Sequence, residues 1–249
     1  MKISVLTPSY NTGKYLERAI QSVIAQNYDK YEHIIVDGGS TDNSIDLFKK
    51  YDEHLQWVSE PDLGQSDAMN KAFNMSTGDI IVYLNADDEF APGAFKEVIK
   101  VFRSKPGTDM VVGNLVFINP EGSSIRVPSH RYQDILQYWL NLFPNNPVSY
   151  FYTRNLQTIL GEFPVDDHYA MDIWFLLRAY KEFNIVKIDR VLGTFHSDGT
   201  NKTAVKIAEV GSNLHRVVKT HLKTENKVMI PYFYFKFLMG RVKRKNQLQ

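Results

Sequence analysis

Four short apolar runs, at residues 3–8, 32–37, 55–59 and 79–85, alternate with segments of helical period over roughly the first hundred positions. Runs of this length rich in Ile, Val and Leu predict buried strands. Between them, Tyr15, Leu16, Ala19, Ile20, Val23 and Ile24 recur at the three-and-four spacing of one helix face. Ile45, Leu47 and Phe48 repeat the pattern, as do Ala68, Met69, Ala72 and Phe73, with Gly78 as a stop signal. Strands alternating with helices predict an α/β fold with a mainly parallel central sheet flanked by helices, Rossmann-like in outline. Further on, 110–118 reads as another strand, and the Pro- and Asn-rich stretch Leu142-Phe143-Pro144-Asn145-Asn146-Pro147 as a loop or lid. A helix is expected at about 168–183, a strand pair at 185–188 and 191–195, and helical structure from about 202 to the end.

The strand ends carry the polar residues. In open α/β sheets, ligands sit outside the carboxyl ends of the strands where the strand order reverses. Asn85-Ala86-Asp87-Asp88 ends the wholly apolar run Ile80-Ile81-Val82-Tyr83-Leu84, so two carboxylates emerge from a buried strand and need a partner. A hard divalent cation suits them, since Mg²⁺ is usually held by one or two carboxylates together with substrate phosphates and water. Turn or helix-capping duty ahead of Pro92 is the other reading. Asp37-Gly38-Gly39-Ser40-Thr41-Asp42 permits close approach of a ligand to the backbone and would set Asp37 on a base or ribose hydroxyl; alternatively it is a capped strand-turn-helix connection. Neither Gly-x-Gly-x-x-Gly nor a Walker-type loop occurs, which argues against a dinucleotide dehydrogenase or a P-loop NTPase.

Composition narrows the classes. The 249 residues are 43% hydrophobic and 23% charged, an ordinary globular balance. With 29 Lys and Arg against 28 Asp and Glu, the formal charge of +1 supplies no field to recruit nucleic acid. The absence of cysteine excludes disulfides, thiolate zinc sites and a cysteine nucleophile, and fits a reducing compartment. The start Met1-Lys2-Ile3-Ser4 reads as the first strand rather than a signal peptide, and no run approaches the ~20 apolar residues of a membrane span, so a cytoplasmic location is expected. The sequons at Asn74 and Asn201 are then chance matches.

Taken together, Thr7-Pro8-Ser9-Tyr10-Asn11, Val36-Asp37-Gly38-Gly39-Ser40-Thr41-Asp42-Asn43-Ser44, Gly64-Gln65-Ser66-Asp67-Ala68-Met69-Asn70-Lys71-Ala72 and Asn85-Ala86-Asp87-Asp88, in this order and spacing, resemble the motifs of the family-two inverting glycosyltransferases. That family has the A-type glycosyltransferase fold, and the resemblance covers about the first hundred residues. It implies a hexosyltransferase type of enzyme using a nucleotide-sugar donor, most readily a UDP-sugar, with Mn²⁺ or Mg²⁺ as cofactor. Pro8, Ser9, Tyr10 and Asn11 would line the nucleotide pocket, and Asp37 would hold the base or ribose. Asp67, Asn70 and Lys71 would approach the ribose and diphosphate, with Asn85 beside them. Asp88 would ligate the metal, and Asp87 would face the ribose or donor sugar.

The same resemblance places the general base at the start of a downstream helix. Ala170-Met171-Asp172-Ile173-Trp174-Phe175-Leu176-Leu177-Arg178 fits that segment and nominates Asp172, although the family's commonest form carries an acidic residue where this chain has Met171. Asp166 and Asp167 are the fallback candidates. His196, after the last predicted strand, would ligate the metal or contact the diphosphate with Lys202 nearby, or is an ordinary turn histidine.

By domain, residues 1–200 read as the catalytic unit, with 1–103 as a nucleotide-sugar half and 104–200 as an acceptor half, and 201–249 as a helical extension. No acidic residue follows Glu225, and Tyr232-Phe233-Tyr234-Phe235-Lys236-Phe237 leads into Arg241-Val242-Lys243-Arg244-Lys245. This pattern suits an amphipathic segment lying on an anionic membrane surface at the inner face of the plasma membrane, and suits equally a helix packed on the catalytic unit or in a homodimer. The acceptor is then a saccharide or lipid-linked saccharide, as in surface polysaccharide assembly. Two other classes stay open, a nucleotidyltransferase acting on sugar phosphates and a non-catalytic nucleotide-sugar binder.

Overall fold

The computed structural model describes residues 1–135, 142–144, 146–166 and 171–198. The predicted C-terminal helices with their membrane or dimer role, Lys202 and the fallback Asp167 lie outside the described residues. Among the described residues nine strands form one sheet: β1 Ile3–Ser9, β2 Tyr31–Asp37, β3 Gln56–Ser59, β4 Ile80–Tyr83, β5 Glu89–Phe90, β6 Met110–Asn119, β7 Gly122–Arg126, β8 Tyr150–Thr153 and β9 Ile185–His196. The helices are α1 Gly13–Ile24, α2 Ser44–Lys50, α3 Gln65–Met75, α4 Ala94–Ser104, α5 Tyr132–Ile135, α6 Arg154–Leu160 and α7 Met171–Glu182.

The strand order is β3-β2-β1-β4-β8-β6-β9-β5, with β7 paired to β6. The four strands expected in the first hundred residues are mutually parallel. Beyond them the sheet is mixed, because β8 runs antiparallel to both β4 and β6. Three strands lie outside the sequence expectation: β5 is two residues long, β7 is polar and exposed, and β8 is a four-residue aromatic-rich run just after the Pro- and Asn-rich stretch. The expected pair at 185–188 and 191–195 is instead one strand, β9, parallel to β6. Its polar Asp189-Arg190 reads as a turn but sits in a register shift against β6, where Asn114 Nδ2 donates to Asp189 Oδ1 at 2.7 Å.

Side chains alternate across the sheet, as a pleat requires. Leu6, Ile34, Ile81 and Tyr83 pack with Ala68, Met69 and Ala72 of α3 and with Phe175 and Leu176 of α7. Ile3, Val5, Ile80 and Val82 meet Ala19 and Val23 of α1 and Phe95 and Val98 of α4 on the other face. Among the described residues, no helix is long and apolar enough to cross a membrane.

The order of the first strands matters most for function. β2 and β3 lie on one side of β1, and β4 lies on the other. The chain therefore changes direction at β1, and a crevice opens between the carboxyl ends of β1 and β4.

Two buried titratable groups give the core a pH dependence. Burial pushes His33 down to about 3 from its ordinary 6.5, while its Nε2 lies 2.9 Å from Thr7 Oγ1. Burial pushes Glu32 up, but the Lys2 ammonium, the Ser4 hydroxyl and the Thr77 N–H outweigh it and bring the carboxyl to about 2. Both values lie below those of the unfolded chain, so the stabilisation is fully present above pH 6.5. It is lost for His33 as pH falls toward 3, and for Glu32 below its ordinary 4.5. His33 alone contributes a slope of at most about 1.4 kcal/mol per pH unit. Because Asp88, raised to about 7, acts with the opposite sign in this range, urea midpoints measured between pH 7 and 5 should fall more with acid, or rise less, in the wild type than in His33→Asn; parallel slopes would contradict this assignment.

Candidate functional site

The carboxyl ends of β1, β2, β3 and β4, the start of α7 and the end of β9 surround a cavity of about 960 Å³. Its first wall is the loop after β1. Asn11 adopts φ +52, a left-handed conformation that Asn tolerates better than most residues. From there its N–H donates to Ser40 Oγ at 2.7 Å and its Oδ1 accepts the Thr41 N–H at 2.9 Å, joining the loops after β1 and β2. Pro8, Ser9, Tyr10 and Asn11 all line the cavity, with Tyr10 63% exposed.

Asp37 is fully buried, and its carboxylate accepts from Gly39 N, Ser40 N and the hydroxyls of Ser40 and Ser59. It holds the β2 loop, in which Gly39 takes φ +82, and it is not among the residues lining the cavity. The base or ribose contact expected of this carboxylate would have to share oxygens that already serve the loop. Gly38, Pro61 and Asp62 line that end of the cavity.

Asp67, Asn70 and Lys71, expected near the ribose and diphosphate, also stand behind the cavity wall. Asp67 accepts the Leu63 N–H at 3.0 Å, and Lys71 Nζ pairs with Glu60 at 2.9 Å and Asp67 at 3.3 Å. Asn70 is buried and exchanges two 2.9 Å bonds with the backbone N–H and carbonyl of Phe163. Asp67 and Asn70 each brace a loop through these bonds, and Lys71 pairs with Asp67 and Glu60. Asn70→Ala leaves both backbone groups without that partner and should lower stability by about 2–4 kcal/mol, read from urea unfolding. Nucleotide affinity should survive at temperatures where the variant is folded, and a loss of affinity at unchanged stability would contradict the bracing role.

The acidic motif divides by orientation. Asp88 is fully buried, and its Oδ2 accepts from Asn146 Nδ2 at 2.7 Å and Asn85 Nδ2 at 3.0 Å, while its Oδ1 accepts the His196 N–H at 3.2 Å. Burial, and then the neighbouring charge of Asp87, push its carboxyl up to about 7. Asp87 lines the cavity and Asp88 does not. Of the pair that the resemblance assigns to a metal (Asp88) and a sugar (Asp87), the carboxylate that lines the cavity is that of Asp87. Asn85 lines the cavity as well, and its Oδ1 accepts from Gln65 Nε2 at 3.3 Å.

His196 lines the same wall, with its Nε2 3.1 Å from Glu89 Oε1. Antiparallel pairing of β5 with β9 brings the two together. Arg18 of α1, which carries no motif signal, donates to the Asp87 carbonyl at 2.6 Å and also lines the cavity. Asn146 was equally invisible within the irregular 142–147 stretch. Its signal is purely tertiary, a buried amide meeting a buried carboxylate.

Asp172 occupies the first turn of α7 and lines the wall beside Tyr150 and Met171. Ile173, Phe175, Leu176 and Leu177 are buried and fix the helix, and Arg178 donates to the Leu160 carbonyl at 2.7 Å. Burial, and then the charge of Asp172, push the Tyr150 hydroxyl well above its usual range. The fallback Asp166 is exposed and does not line the cavity.

The donor set fits a hard divalent cation. Among the described residues, no group of three or more His, Cys, Asp and Glu gathers as an all-protein cage. One cavity-facing carboxylate and one imidazole match a cation that completes its coordination with substrate phosphates and water.

The model for glycosyl transferase family 2 matches residues 4–171. The uncharacterized glycosyltransferase YibD of Escherichia coli K12 is 34% identical over 214 residues, covering 75% of this chain and 60% of that protein. This chain therefore spans less than two thirds of that relative. Staphylococcus aureus TarS residues 1–349 in complex with UDP superposes with a TM-score of 0.73 at 19% identity, over 96% of this chain and 71% of that one. The mannosyltransferase PcManGT of Pyrobaculum calidifontis, in complex with GDP-Man and Mn²⁺, superposes with a TM-score of 0.70 at 19% identity, over 97% of this chain and 73% of that one. The fold is the A-type glycosyltransferase fold.

Proposed function

The chain belongs to glycosyl transferase family 2, and from that premise we propose that it moves a sugar from a nucleoside-diphosphate donor, a UDP-sugar, to a hydroxyl of a saccharide or lipid-linked saccharide with inversion at the anomeric carbon. One observation carries the reading. Asp87 and His196 on one wall, and Asp172 on another, line a single cavity at the switch in strand order.

In this reading the loop Pro8 to Asn11 cradles the nucleoside, and Asp37 acts indirectly by holding the β2 loop. Asp87 and His196 would hold Mn²⁺ or Mg²⁺, while Asp88 accepts the His196 N–H and the Asn85 and Asn146 amides and so fixes the turn. When bound, the cation offsets the negative charge that grows on the departing nucleoside diphosphate. Asp172 accepts the proton of the acceptor hydroxyl as that oxygen bonds to the anomeric carbon. The bond from that carbon to the diphosphate breaks on the opposite face, and its electron pair leaves with the nucleotide. A base on a packed helix is held in reach of the acceptor oxygen, which is the geometric requirement for such catalysis.

In the same reading residues 1–103 form the donor half and 104–200 the acceptor half, a division supported by the strand ends that carry Pro8 to Asn11 and Asp87 and by the helix that carries Asp172. The basic, aromatic sequence near the C-terminus supports a lipid-linked acceptor at the cytoplasmic face of a membrane, in surface glycan assembly. Release of nucleoside diphosphate from a panel of UDP-, GDP- and dTDP-sugars with Mn²⁺ tests the proposal. A protein that binds UDP but releases none from any donor, with any saccharide acceptor, would be a binder rather than a transferase.

A further inference from the structure

We propose that the phenol hydroxyl of Tyr150, on the cavity wall beside Asp172, binds a second hydroxyl of the saccharide acceptor and so presents the reacting hydroxyl to the base. The inference rests on the transferase reading above and adds a specificity-determining residue to it. The acceptor is recognised as a diol, not through a lone hydroxyl.

The buried tyrosines single this group out. Tyr83, Tyr150, Tyr152 and Tyr180 are each 5% exposed or less. A phenol packed in a core normally finds a hydrogen-bond partner, because an unmatched hydroxyl forfeits its solvation. The Tyr83 hydroxyl donates to the Met69 carbonyl at 3.1 Å, that of Tyr152 to Gln157 Oε1 at 2.8 Å, and that of Tyr180 to the Ser129 carbonyl at 2.9 Å. Among the described residues the Tyr150 hydroxyl has no such bond. Nor is its oxygen sealed in: among the described residues the buried side-chain N and O atoms without a partner are Arg18 Nε and Asn114 Oδ1. Tyr150 lines the cavity, so its unmatched hydroxyl opens into it.

The ring that carries this hydroxyl is held firmly. Tyr150 and Tyr152 lie two apart on β8 and so share one face of the sheet. Their rings stack at 6.3 Å and 23°, and Tyr152 packs on Phe175 of α7 at 5.1 Å. The same helix carries Asp172 in its first turn, so phenol and carboxylate are positioned by one packed unit. Burial, and then the charge of Asp172, keep the hydroxyl protonated, and a neutral phenol can both donate and accept. Pro147 and Met171 add apolar surface to this wall, which suits the C–H face of a sugar ring. A carboxylate that takes the proton of one hydroxyl and a phenol bonded to another are both engaged only by an acceptor with two hydroxyls close together.

Tyr150→Phe removes only the oxygen. Because that oxygen has no hydrogen bond among the described residues, the urea midpoint of the variant should match wild type or rise. Tyr152→Phe, which takes a bond from Gln157, should lower it and serves as the structural control. Transfer is measured from UDP-, GDP- and dTDP-sugars to the methyl glycosides of glucose, galactose, mannose and N-acetylglucosamine, and to each monodeoxy analogue of the best of these. In Tyr150→Phe the ratio of transfer to donor hydrolysis should fall about tenfold or more, through KM for the acceptor. One deoxy analogue should lose a similar factor with wild type, and Tyr150→Phe should process that analogue no more slowly than its parent. Losses that simply multiply, a midpoint that falls as far in Tyr150→Phe as in Tyr152→Phe, or a variant that no longer binds UDP would overturn the role of Tyr150 and leave the transferase reading standing. Wild type that hydrolyses a donor but glycosylates none of the panel would overturn recognition of a diol. Folded wild type that releases no nucleoside diphosphate from any donor would overturn the transferase reading and this inference together.

Discussion

Asp172→Asn is expected to lower turnover by about 10²–10⁴-fold, the usual contribution of a positioned general base, with UDP affinity nearly unchanged. The substitution keeps shape and removes basicity. It also preserves the local fold, since Asp172 Oδ1 accepts the Ile173 N–H at 2.8 Å and an amide oxygen can do the same. Gly38 and Asp62, which also line the cavity, follow different strands from the helix of Asp172, so binding and chemistry should separate. Single-turnover rates together with calorimetric UDP titration of both proteins make the check. A variant that turns over normally would remove Asp172 from the reaction, and one that loses UDP binding would make it a donor contact.

Asp87→Asn is expected to weaken Mn²⁺-dependent UDP binding by about 100-fold or more, at least the upper range reported for groups that merely support a metal ligand. The adjacent substitution should behave differently. Asp88→Ala strands the Asn85 and Asn146 amides and the His196 N–H, and should cost about 3 kcal/mol or more of stability before any effect on metal. Comparing metal dependence for Asp87→Asn with urea unfolding for Asp88→Ala separates a carboxylate that faces the cavity from one that holds the turn. If Asp88→Asn, and not Asp87→Asn, removed the effect of Mn²⁺, the two roles would be exchanged.

The contrast between these two neighbours shows where sequence reasoning reaches its limit. The strands β1, β2 and β4 were legible because their apolar runs are buried on both faces, and the polar clusters at their ends located the cavity. Which of two adjacent carboxylates turns inward is a different kind of question. It depends on Asn146, 58 residues away, and on the His196 backbone, 108 residues away. Neither distance leaves a trace in local pattern. Asn70 is a similar case: its place in a motif suggested a ligand contact, yet its amide is matched to the backbone of Phe163. The strand β8 escaped notice because four aromatic-rich residues, Tyr150–Thr153, carry no period long enough to distinguish strand from helix or loop. The helix that carries Asp172 was legible from its apolar spacing, whereas Asp172 itself was nominated by resemblance to the family's base segment.

The central claim is that the cavity at the ends of β1 and β4 binds a nucleoside diphosphate through a divalent cation. Calorimetric titration of the wild-type chain with UDP, GDP, dTDP and CMP, each with and without Mn²⁺, tests it most directly. At least one nucleoside diphosphate should bind with an affinity that depends on Mn²⁺, a dependence CMP should not share. A folded protein that binds none of the four, with or without the metal, would contradict it.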